Sequence, residues 1–159
     1  MTGVFEVQSV EETWELAKKL APELKPGDVV CLEGDLGAGK TTFTQGLAAA
    51  MGVPGRVNSP TFCIVQEHRG SCPVPRASCL EDGTEHKAQS TKHLLVHMDL
   101  YRLHGEDDVI AIGWEDYLAE GAILVVEWPE RAGALIPAAA KHVIFTHLDG
   151  EENRRIEFR

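Results

Sequence analysis

The sequence predicts an α/β fold, and three observations carry that expectation. The apolar run Val29 to Glu33 leads directly into a glycine-rich turn, GDLGAGKTT, which opens onto a helix-forming stretch. Two further apolar runs, Leu94 to Asp99 and Ala122 to Glu127, each end in a single acid. Buried parallel strands present carboxylates at their carboxyl edge in this form.

Taken in order, FEVQSVEETWELAKKLAPEL reads as a short strand and then a helix. Ser9 is its N-cap, with Glu12 three residues on at the capping-box spacing. Val10, Trp14, Leu16, Ala17 and Leu20 are expected to form its buried face. The turn Lys25 to Asp28 stops this helix and launches the strand Val29 to Glu33. The helix after the glycine turn holds good formers from Gln45 to Met51, and Gly52 is placed to end it in a left-handed conformation. Phe62 to Gln66 is rich in β-formers and is expected to be a strand. Residues 67–92 turn polar, with prolines, glycines and two histidines, and read as an exposed insertion. EDDVIAIGWEDYLAEG predicts one or two short helices, and the tail HVIFTHLDGEENRRIEF predicts a hairpin around Asp149 and Gly150.

Composition bounds the rest. A chain of 159 residues is expected to form one domain spanning residues 1–159, with a core that needs no disulfide or structural metal. No stretch approaches the roughly 20 apolar residues of a bilayer span, so no membrane partner is expected. The N-terminal residues lack a basic region followed by an apolar one, which points to a cytoplasmic protein. Cys31, Cys63, Cys72 and Cys79 form no CxxC pair and are expected to be free thiols. A net charge of -10 argues against direct grip on nucleic acid, which calls for a basic stripe; a basic protein partner fits better.

Gly34, Gly39, Lys40 and Thr41 satisfy the pattern GxxxxGK[ST], with Gly37 as an additional glycine. Glycines without side chains let consecutive backbone N–H groups face phosphate oxygens, and the following helix adds its positive N-terminal pole. The candidate nucleotide-binding residues are therefore Asp35, Leu36, Gly37, Ala38, Gly39, Lys40, Thr41 and Thr42. Lys40 is expected to reach the β and γ phosphates of ATP, and the Thr41 hydroxyl to bind Mg2+. Such a metal calls for a carboxylate from a neighbouring strand end, and Asp99 and Glu127 are both candidates. The segment NSPTF, residues 58 to 62, carries Ser59 and Thr61, hydroxyls able to sense a γ phosphate; an ordinary turn entering a strand is the alternative.

Together these motifs resemble one family, the small P-loop ATPases called TsaE or YjeE, required in bacteria for threonylcarbamoyladenosine modification of tRNA. The matching stretches are GDLGAGKTTFTQGLA (34 to 48), NSPTF (58 to 62), HMDLYRL (97 to 103), GWEDYL (113 to 118) and VVEWPER (125 to 131). The resemblance implies a three-layer P-loop fold: a mainly parallel sheet, antiparallel strands at its edges, helices on both faces. It implies that Asp99 is the magnesium-linked aspartate, that Glu127 is the catalytic or water-positioning acid, and that Ser59 and Thr61 lie on a switch-like loop. The candidate catalytic residues are thus Lys40, Asp99 and Glu127, and the candidate metal contacts Thr41, Asp99 and Glu127. Trp128 matches the family's Glu-Trp pair, with stacking on the nucleotide or simple packing as its roles. Arg102 and Arg131 are candidates for neutralising charge on the transferred phosphoryl group, with surface ion pairs as the alternative.

The function implied is an ATPase subunit acting with the TsaB and TsaD proteins, and with tRNA indirectly through them. A P-loop small-molecule kinase is one alternative, disfavoured because residues 67–92 hold only Arg69 and Arg76 where an arginine-rich lid is expected. A nucleotide-gated binding module is another. A zinc site on Cys72, Cys79, His86 and His93 is disfavoured because the gaps are all seven residues, unlike the short paired spacings of zinc ligands. The acidic surface predicts that affinity for protein partners falls as salt is added. Titrations at rising ionic strength check this, and a salt-independent dissociation constant would count against steering by charge.

Overall fold

The computed structural model describes residues 1–55, 57–60, 64–72, 91–150 and 153–159. Among these residues, seven strands form one sheet: β1 (Gly3–Val7), β2 (Val29–Glu33), β3 (Val65–Cys72), β4 (Thr91–Asp99), β5 (Ile123–Glu127), β6 (Lys141–His147) and β7 (Arg154–Phe158), in the order β1-β7-β6-β2-β5-β4-β3. The central strands β6, β2, β5 and β4 pair in parallel. Antiparallel pairings of β7 with β6, β1 with β7 and β3 with β4 complete the edges. From β2 the chain leaves to β3 and β4 on one side, and after β5 it returns to β6 on the other. A crevice therefore opens at the carboxyl end of β2, where α/β sheets hold ligands.

Strand alternation splits the core into two halves. Val30 and Leu32 of β2 face the helices α1 (Val10–Leu20) and α2 (Lys40–Ala50), with Leu95, Val125, Val143 and Ile156 beside them. Val29 and Cys31 face the other side, where Val109 of α3 (Glu106–Ala111) and Trp114 of α4 (Trp114–Ala119) pack on Val96, Met98, Leu124 and Val126. This is the three-layer, mainly parallel arrangement expected. Burial pushes the Cys31 thiol up to about 12, with the Glu33 carboxylate adding to it. That thiol is free, as anticipated; the expectations for Cys63, Cys79 and the Cys72 side chain lie outside the described residues.

The N-terminal helix begins where the sequence placed it. Ser9 caps it by accepting from Glu12 N–H at 3.2 Å, and Glu12 Oε2 accepts from Gln8 N–H at 2.7 Å. Its buried face differs from the one expected: Thr13, Leu16, Ala17 and Leu20 are buried, whereas Val10 and Trp14 are about two-fifths exposed (40% and 38%). The cause is close contact with α2. A Cβ on Gly46 would lie 2.9 Å from both Cα and Cδ1 of Trp14, so the Trp14 backbone occupies the interface and part of its ring remains in solvent.

The polar stretch after residue 66 also departs from expectation. Strand β3 starts at Val65 and continues to Cys72, and β4 begins at Thr91. Both ends of the expected insertion are thus an antiparallel ladder. Polar residues suit β3 because it is the outermost strand, with Glu67 and Arg69 exposed. The remainder of the insertion and the zinc-site candidate, which includes Cys79 and His86, lie outside the described residues. The two short helices α3 and α4 and the terminal β6–β7 hairpin agree with the sequence reading.

Gly70 sets the distance between β3 and the end of α2. An added Cβ there would overlap the Met51 carbonyl oxygen and stand 3.1 Å from Val53 N. Gly70→Ala is expected to destabilise the protein by about 1–3 kcal/mol, the usual range for overpacking. Urea denaturation with an unchanged slope checks this; an unaltered midpoint would mean that the two backbones separate without cost.

Candidate functional site

The glycine turn leaves β2 at Gly34 and enters α2 at Lys40. Its conformation depends on glycine at particular places. Gly34 has φ +139°, and a Cβ there would stand 2.5 Å from the Phe145 carbonyl oxygen on β6. Gly37 (φ +78°) has open space around it, and Gly39 (φ +106°) is the N-cap of α2 with no side-chain cap. An uncapped helix start leaves its first N–H groups and its positive pole available to an anion. Phe43 anchors the first turn of that helix, fully buried and edge-on to Phe145 at 5.7 Å between ring centroids.

Lys40 is only 5% exposed. Its ammonium donates to the carbonyl oxygens of Gly34 (2.7 Å) and Asp35 (2.9 Å), lies 3.9 Å from Glu127 Oε2, and stands 5.5 Å from the centre of the Trp128 ring. A buried ammonium is tolerable only with such partners. Trp128 reaches this place through a left-handed backbone (φ 60°, ψ 53°), unusual for a bulky residue. That turn ends β5 and swings the ring back beside Tyr101, 5.0 Å away and tilted by 51°. Pro129 follows, opening a short 3-10 turn over Pro129–Arg131.

Asp99 and Glu127 are register partners at the ends of β4 and β5. Both are almost buried, at 7% and 5% exposed. Asp99 Oδ1 accepts from Tyr101 N–H at 3.0 Å, and Glu127 Oε1 is 2.9 Å from Nε2 of the fully buried His97. A carboxylate only accepts, so His97 is the donor.

These groups meet in one cavity of about 420 Å3, lined by Leu36, Gly37, Gly39, Lys40, Thr41, Thr42, Ser59, Asp99, Tyr101, Glu127 and Trp128. Asp35 contributes the carbonyl that holds Lys40, and Ala38 is buried within the loop, its N–H on the Asp35 carbonyl at 3.2 Å. The residues fit a polyphosphate with a hard divalent cation: an ammonium and a helix N-terminus for the anion, a hydroxyl and two carboxylates for the metal. Arg102 is exposed on the turn after β4, and Arg131 lines a separate open depression with Glu106, Asp107 and Asp108. Thr61 lies outside the described residues. Sequence reasoning quoted Tyr101 and His97 within their motif but gave them no role. The available signal was His97 itself, one imidazole inside the apolar run LLVHM.

A glycine-rich loop between the central strand of a mainly parallel sheet and an uncapped helix, with two carboxylates at the adjoining strand ends, defines a P-loop nucleotide-binding protein. The model of one such family, described as "Threonylcarbamoyl adenosine biosynthesis protein TsaE", matches residues 7–156. The chain belongs to the TsaE family. It is 37% identical over 148 residues to the tRNA threonylcarbamoyladenosine biosynthesis protein TsaE of Bacillus subtilis, covering 93% of this chain and 79% of that one. It is 39% identical over 127 residues to the protein of the same name from Aquifex aeolicus, covering 79% and 75%. The crystal structure of YdiB from Bacillus subtilis superposes with a TM-score of 0.68 at 31% identity, covering 99% of this chain and 84% of that one.

The two glycine environments predict different costs. Gly34→Ala meets the Phe145 carbonyl as well as an unfavourable φ, and should lower the unfolding free energy by at least about 2 kcal/mol. Gly37→Ala, with open space, should cost only about 1 kcal/mol. Chemical denaturation of both variants decides, and equal losses would mean that β6 does not brace the loop.

Proposed function

We propose that this protein is the MgATP-binding and hydrolysing subunit of a tRNA-modifying assembly, required for threonylcarbamoyladenosine at tRNA adenosine 37, and that it acts in the cytoplasm with the TsaB and TsaD proteins. The observation that carries the reading is the single cavity in which Lys40 and Thr41 of the loop face Asp99 and Glu127. The names of the Bacillus and Aquifex relatives supply the pathway.

Each residue has a task in this reading. Backbone N–H groups of residues 35 to 42 and the α2 N-terminus cradle the phosphates, and Lys40 exchanges its two loop carbonyls for phosphate oxygens. Thr41, Asp99 and Glu127 would hold Mg2+, which would supply neutralisation of the negative charge on the polyphosphate. Glu127 orients the attacking water and accepts its proton. Trp128 and Tyr101 give the cavity lining an aromatic pair, and Ser59 belongs to the same lining. Arg102 and Arg131 lie outside the cavity lining, which favours surface roles for both.

Of the alternatives, the kinase reading loses further support because Arg69 lies on β3 in a different cavity, with Pro26 and Glu120. The nucleotide-gated module is separated from the ATPase by one variant. Glu127→Gln should reduce phosphate release by roughly a hundredfold or more while ATP affinity stays within a few-fold, and should fail to support tRNA modification with TsaB and TsaD. Lys40→Ala should lose ATP binding. A Glu127→Gln protein that no longer hydrolyses ATP yet sustains modification would replace the ATPase with the module.

A further inference from the structure

We propose that His97 is a positioning residue for Glu127, fixing which carboxylate oxygen faces the nucleotide cavity; this rests on the ATPase reading above. His97 and Glu127 stand on adjacent parallel strands. The register pairs His97 with Val125 and Asp99 with Glu127, so the imidazole and the carboxylate project from the same face, diagonally two residues apart. His97 Nε2 donates to Oε1 at 2.9 Å. The other oxygen, Oε2, is the one facing the Lys40 ammonium at 3.9 Å.

A glutamate on its own has three side-chain torsions and two equivalent oxygens. With Oε1 tied to an immobile imidazole, one oxygen is removed from competition and the other keeps a defined direction. That arrangement suits a carboxylate that must align a single water molecule. Asp99 is tethered differently, through the Tyr101 N–H, so the two acids are oriented independently.

Packing alone does not account for a histidine at this position. Its side chain is fully buried, and Nδ1 has no hydrogen-bond partner among the described residues. Leaving a polar atom unpaired in the core costs stability. The buried neighbours on the same strand are Leu95, Val96 and Met98, and an apolar residue at 97 would avoid that cost. The group retained is the one whose other nitrogen holds Glu127.

The test uses the full chain with three variants. His97→Leu removes the donor, His97→Asn keeps a polar side chain too short to reach Oε1, and His97→Gln returns an N–H donor near the Nε2 position. Phosphate release from MgATP, ATP affinity and melting temperature are measured on each and on the unaltered protein. Expected are a tenfold to hundredfold fall in kcat for Leu and Asn, KM and ATP affinity within about threefold of the unaltered protein, a somewhat lower melting temperature for Leu, which leaves Glu127 Oε1 without its donor, and substantial recovery of kcat in Gln. Turnover retained in Leu or Asn overturns the inference, as does a parallel loss of ATP affinity and melting temperature, which marks a structural histidine. Should Leu fail to fold, Asn against Gln decides: equal kcat in the two overturns it. Absence of ATP hydrolysis in the unaltered protein, alone and with TsaB and TsaD, would instead remove the ATPase reading and this inference with it.

Discussion

The parallel register of β2, β5 and β4 is the constraint on which the rest of the molecule depends. Leu32 lies opposite Glu127, and Glu127 opposite Asp99. Side chains alternate along a strand, so a slip of one residue would turn both carboxylates into the opposite half of the core. It would also replace Val30 and Leu32 by Val29 and Cys31 under α2. Hydrophobic burial, worth roughly 1.5–3 kcal/mol for each large side chain, therefore holds the register, and the register places the acids. The site inherits its geometry from the packing of residues that never touch a ligand.

The buried charges follow from the same arrangement. Lys40, Glu127 and Asp99 are nearly out of solvent, a costly state unless each has partners. The loop's own carbonyls, the Trp128 ring, His97 and the Tyr101 N–H supply them. These partners are local, and they satisfy the Lys40 ammonium within the loop itself. The left-handed backbone at Trp128 is part of this: it stores strain at the position where the ring meets the ammonium.

Much of this was legible in the sequence, for identifiable reasons. The strand Val29–Glu33, the loop and the helix after it announce themselves because glycine spacing and apolar runs are local signals. Asp99 and Glu127 were legible as single acids ending apolar strands. What sequence could not supply was contact between distant segments. Trp14 lies against Gly46, which no helical periodicity contains, so Trp14 and Val10 were misplaced and Thr13 overlooked. His97 carried its signal in plain view, a polar residue in an apolar strand, but its partner Glu127 is 30 positions away. Residues 67 to 72 were misread as loop because edge strands tolerate the same polar composition.

That composition has a consequence for the molecule among other molecules. Among the described residues β3 is the last strand of the sheet, and an outermost strand can template pairing with another chain. The exposed Glu67 and Arg69 put charge along this border. The opposite border, β1, is only five residues long. The charged composition that gives β3 the look of a loop thus also discourages a neighbouring chain from pairing with it.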